Sequence, residues 1–136
     1  MKRRFNKFLS EMSSAKRENL DIAIRKSYPL FCASAQDGIV LMALNPTGMP
    51  TRIDAILDRI AYGGIGSDAD IFAVVRDVGV SAIWKAEVLA GPEDVHAEHL
   101  AHDAKDIITE SRKNAFFGNS YAAEIVFAGL GFAQKD

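Results

Sequence analysis

The sequence predicts a single α+β domain, and three observations carry that reading. At 136 residues the chain is long enough for one core of a few layers and short for two domains. Asp37-Gly38 lies between two short apolar runs, which marks a β-hairpin. Two later stretches, opening at Ser67 and Gly91, carry helix starts followed by apolar residues at helical spacing. Hydrophobic residues are 49 % and charged residues 25 %, a balance that argues against a disordered or membrane chain. No apolar run is long enough to span a bilayer or to form a signal-peptide core. A lone cysteine, Cys32, has no intrachain partner, so a disulfide-stapled secreted domain is not indicated and the cytoplasm is the default compartment.

Phe5, Phe8, Leu9 and Met12 follow the i, i+3, i+4, i+7 spacing of one apolar helix face. Ser13-Ser14 interrupts, and Ser14 can cap a second helix from Ala15 to about Lys26, which Pro29 ends. Strands are expected over Leu30 to Ala35 and Ile39 to Leu44, with Gly38 supplying the positive φ of a tight turn. The run Ile39 to Leu44 has no polar alternate, so both of its faces are expected to be covered. Asn45 to Pro50 has the composition of a loop. Arg52 to Leu57 and Arg59 to Ile65 then form two more short strands that turn at Asp58.

Ser67 opens a helix as its N-cap, with Asp68 and Asp70 in the first turn and Ile71, Val74, Val75 and Val78 on one face. Gly79 is expected to end or bend it, and Val80 to Leu89 suits helix and strand equally. A further helix starts near Pro92 with a stripe of Leu100, Ala104, Ile107 and Ile108, and closes at Phe116 to Asn119. Ala123 to Phe132 is expected to be a last buried strand. There is no internal repeat and no low-complexity segment.

The overall charge of −2 hides an asymmetry. Residues 1–26 hold eight Lys/Arg and three Asp/Glu, a net +5, so the other 110 residues carry −7. A basic head can meet nucleic acid or an anionic surface, but acids interrupt this one and only Phe5 and Phe8 could stack on bases. A solvated or docking helix explains it better, and no nucleic-acid or membrane partner is expected. A nucleic-acid module would show binding that falls steeply with salt.

Three glycines in "DRIAYGGIGSDAD" (residues 58–70) invite comparison with a phosphate loop. The helix after them opens on two carboxylates, which already occupy the positive end of its dipole and would repel a phosphate. Gly64-x-Gly66 is followed by Ala69, so neither G-x-G-x-x-G nor G-x-S-x-G is completed, and Ser67 suits a cap better than a nucleophile. Strand-to-helix geometry accounts for the stretch. His96, His99, His102 and Asp103 form the one metal-like group. Residues three apart on a helix drift by about 60° per step, so the histidines fan out rather than converge. His99 and Asp103, at i and i+4, could pair. Cys32 suits a small buried hydrophobe. No cofactor is implied by any motif.

The order head helix with Lys26-Ser27, strand "DGIVLMALNP", then strand, turn and helix in "DRIAYGGIGSDADI" resembles the α-type subunits of the 20S proteasome, particularly bacterial ones. The resemblance covers about residues 15 to 131 and rests on order and spacing together. It implies a layered αββα N-terminal nucleophile hydrolase fold, with residues 1–14 as a gate or extension, 15–26 as the N-terminal helix and 28–132 as the body. It also implies seven-membered rings with neighbouring α-type subunits, β-type subunits stacked on them and an ATPase activator docked outside.

Catalytic relatives use a Thr, an Asp and a Lys at positions that match Tyr28, Leu44 and Arg52 here, so the resemblance implies a non-catalytic subunit of a threonine protease complex. The same resemblance assigns Arg52 to an activator's C-terminal carboxylate and Arg3, Phe5 and Phe8 to the gate. Family members continue past the fifth strand with about as much chain again. Measured against them this chain is a fragment, a subunit completed by another chain, or a half-size relative that pairs with itself. A small metal protein using His96, His99 and Asp103 is the alternative from a different class.

Overall fold

The computed structural model describes residues 7, 17–44, 52–113 and 120–131. Residues 17–25 are helical (α1), and Lys26 N–H to Ile22 O at 3.0 Å and Ser27 N–H to Ile24 O at 3.1 Å close the helix before Pro29. Two antiparallel strands follow, β1 (Leu30–Ala35) and β2 (Gly38–Ala43), paired from Leu30 opposite Ala43 to Ala35 opposite Gly38. The hairpin sits where the Asp-Gly step puts it, although Gln36 and Asp37 make the turn and Gly38 opens β2 without a positive φ.

β3 (Ile53–Ile56), β4 (Ile60–Gly66) and β5 (Ala123–Gly129) form a second antiparallel sheet in the order β3-β4-β5. Its register runs Ile56 opposite Ile60 and Gly66 opposite Ala123. Leu57, in the turn between β3 and β4, holds the left-handed φ of 61°. Two long helices complete the chain, α2 (Asp68–Val88) and α3 (Ala97–Lys113), joined through a 3-10 turn at Pro92–Asp94.

The glycines of β4 explain how these pieces stack. Successive side chains on a strand point to opposite faces, so Gly63 and Gly64 look in opposite directions. A Cβ on Gly63 would lie 2.7 Å from Leu30 Cδ1 of β1, and one on Gly64 would lie 2.8 Å from Ile71 Cγ2 of α2. The three-stranded sheet is therefore a middle layer, with the hairpin on one face and α2 and α3 on the other. Gly66 does something different. At φ 120° it turns the chain out of β4, and a Cβ there would meet the Ala122 carbonyl oxygen at an impossible 2.1 Å.

The core lies between the middle sheet and the helices. Ile71, Val74, Val78 and Ala82 of α2 and Leu100 of α3 are fully buried, and Ile56, Ile60, Tyr62, Val95, Ala104 and Ala123 join them. Both helical stripes expected from the spacing are thus core, with Ile107 and Ile108 half-buried against it. α2 does not stop at Gly79: Val78 and Ala82 continue the buried stripe across it, and packing outweighs a helical glycine's cost of about 1 kcal/mol.

Expectations of full burial fail on the hairpin. Ile39 and Leu41 turn inward, but Val40 and Met42 are exposed, because the middle sheet covers only one face of β2. Cys32 is exposed on β1 as well. The chain is a mixed α+β domain of antiparallel sheets and helices. No helix among the described residues is long and apolar enough to cross a membrane.

Candidate functional site

The turn out of β4 brings together residues from three separate parts of the sequence. Ser67 N–H donates to the Ala122 carbonyl at 2.8 Å, and Ala122 N–H donates back to Asp70 Oδ2 at 2.9 Å. These bonds fix the first turn of α2 against the start of β5. Ser67 holds the N-cap position, yet its hydroxyl makes no capping bond. Asp68, on the same turn, is directed to Arg52.

Arg52 is the buried charged residue of the described chain, with 7 % of its surface accessible. Its carbonyl accepts the Gly64 N–H at 2.8 Å, which ties its backbone to β4. Its Nε lies 3.1 Å from Asp68 Oδ1, its Nη1 donates to the Tyr28 carbonyl at 3.3 Å, and its guanidinium sits 5.5 Å from the centre of the Tyr28 ring. The Asp68 contact is ionic rather than directional, since Oδ1 is buried there without a hydrogen bond. A guanidinium between a carboxylate and an aromatic face is held by charge on one side and ring quadrupole on the other.

The structure thus joins Tyr28 to Arg52, two of the three positions singled out in the sequence, and adds Asp68. Leu44 stands at the end of β2, exposed and without a polar atom. Among the described residues, the side-chain contacts of Arg52 are to Tyr28 and Asp68, and neither is a Thr, Asp or Lys arranged as the resemblance requires of a catalytic site. The carboxylate that Arg52 holds is that of Asp68. The positions given to the gate, Arg3, Phe5 and Phe8, lie outside the described residues, as does the helix end at Phe116 to Asn119.

The histidines do not assemble. His96 N–H donates to His99 Nδ1 at 3.2 Å, with the two rings 5.4 Å apart, so His99 serves the start of α3. Asp103 does not pair with His99. It faces α2, where it binds the Lys85 ammonium and accepts the Ser81 hydroxyl at 2.8 Å, stapling the two helices. Among the described residues no group of three or more His, Cys, Asp or Glu could hold a metal ion.

Sequence reasoning missed a cleft of about 480 Å³ lined by Leu57, Ile60, Val95, His96, Glu98 and Leu130. Arg59 braces it, with Nη2 donating to the Gly131 carbonyl at 2.6 Å. Its walls come from distant stretches that share no motif. Of the titrating groups, Tyr62 is displaced. Burial, and then the Asp54 carboxylate on the neighbouring strand, raises its phenol above the ordinary value.

No family model matches this chain, and no curated protein matches it.

Proposed function

We propose that this chain is a non-catalytic subunit of the α-type proteasome class, a structural and gating component of a self-compartmentalising threonine protease. One observation carries the reading. The positions that the resemblance equates with a nucleophile and its lysine, Tyr28 just before β1 and Arg52 just before β3, are in contact, as a nucleophile and its activator must be, and neither carries the catalytic residue type. The layer order of helices, sheet and hairpin is compatible with three layers of an αββα sandwich. Exposed Phe31 and Met42 on the hairpin, and Val80 and Trp84 on α2, suit a subunit whose outer faces meet neighbours.

In this reading Arg52 receives the C-terminal carboxylate of an ATPase activator. Within the chain Asp68 already supplies a carboxylate to it, so docking exchanges one anion for another on the same guanidinium. Arg52→Ala should abolish activator binding while the far-UV circular dichroism stays unchanged. Asp68→Asn, which removes the internal competitor, should strengthen it. Equal activator affinity in wild type and both variants would refute the assignment.

A further inference from the structure

α2 is apolar nearly all the way round, a pattern suited to a helix buried on every side. Its inner face is covered by the sheet and α3, but its outer face is open: Val80 is 65 %, Ile83 58 %, Trp84 62 % and Val88 62 % exposed. The charges on that face are few and ordered. Arg76, Val80, Ile83 and Glu87 follow one another at intervals of four, three and four residues, the spacing of one seam along a helix. A cation stands at one end of the seam, an anion at the other, and two β-branched apolar residues lie between.

That arrangement is self-complementary. A second α2 laid antiparallel, about a two-fold axis midway between Val80 and Ile83, sets each Val80 against Ile83 of the second copy and each Arg76 against its Glu87. Arg76 and Glu87 are eleven residues apart, about 16 Å at 1.5 Å per residue, so both pairs form at once. Trp84 borders the seam on each side and is covered when the helices meet. Among the described residues Arg76 is engaged by its neighbour Asp77, at 3.1 Å and with both side chains largely exposed, a contact worth little that leaves the guanidinium able to reach across.

We infer that the outer face of α2 is an isologous interface, and that its occupant is a second copy of this chain in antiparallel register. The inference stands on α2 alone and does not depend on the proteasome reading.

The test uses the full chain in sedimentation velocity over a dilution series, with the emission of Trp84, the one tryptophan, followed in the same samples. A species of even copy number should dissociate on dilution as the emission moves to the red. Ile83→Lys, at an exposed position, should keep the circular dichroism of the wild type, remove the association and give red emission at every concentration. Arg76→Glu and Glu87→Arg should each weaken association on the order of tenfold, and the double exchange should restore most of it.

An assembly that Ile83→Lys leaves intact, or a double exchange no better than the single ones, would overturn the inference. A seven-fold species untouched by Ile83→Lys would overturn the seam while sparing the ring. Loss of an even-numbered species in a chain that forms no ring would do the reverse.

Discussion

Replacing Gly66 by alanine tests the junction on which both the sheet order and the Arg52 cluster depend. The new Cβ has two costs. A φ of 120° lies where side chains are rarely tolerated, worth about 1–3 kcal/mol. The Cβ would also stand 2.1 Å from the Ala122 oxygen, a backbone atom that cannot swing away. Relief requires the first turn of α2 to part from β5, which gives up the Ser67 to Ala122 bond, about 1 kcal/mol, and the Ala122 to Asp70 bond, about 1.5–3 kcal/mol because its acceptor is charged.

The loss should therefore reach roughly 3.5–7 kcal/mol, a large part of the 5–15 kcal/mol that holds a domain of this kind. Urea unfolding followed by circular dichroism measures it. Two neighbours act as controls. Gly64→Ala presses on Ile71, which is fully buried, and should cost about 1–3 kcal/mol, whereas Gly63→Ala presses on Leu30, which is only half-buried and can turn aside. The order of damage should be Gly66, Gly64, Gly63. A Gly66→Ala chain within about 1 kcal/mol of wild type would refute the account of this turn.

Two other substitutions have outcomes fixed by the geometry. Gly79→Ala places a methyl group in open space in the middle of α2 and should stabilise the chain by about 0.5–1 kcal/mol in the same urea assay, with a loss counting against an unobstructed site. For Tyr62 the folded value lies above the ordinary one, so its contribution is fully present below pH of about 10 and fades as the pH rises through the folded value. Tyr62→Phe should flatten the fall in unfolding free energy above about pH 9.5, and an unchanged slope would show that the phenol is not the cause.

Much of this fold is legible in the residues. The stripes Ile71, Val74, Val75, Val78 and Leu100, Ala104 stand out because each helix turns one face to a single core. The strand-to-helix turn at Gly66 is legible through a local backbone demand, whereas the hairpin stands at the Asp-Gly step without the positive φ expected of Gly38. Where tertiary packing decides, local signals fail. Gly79 weakens a helix that its flanking core residues sustain, and the apolar run of β2 suggests two covered faces where the sheet covers one.

At the site, Arg52 is singled out by its place in a resembling pattern, but its partner is not, because Asp68 looks like an ordinary helix-dipole acid until β4 turns it toward the guanidinium. Asp103 misleads in the same way. On its own helix its neighbour at i−4 is His99, while the cation it binds, Lys85, comes from α2, eighteen residues earlier.

The place proposed for this chain in a proteasome-type ring is tested by the native mass of the purified chain, alone and mixed with a β-type subunit. A seven-fold species that forms or grows on mixing is the expected result. A chain whose mass ignores the β-type subunit, and which never exceeds a dimer, would contradict it.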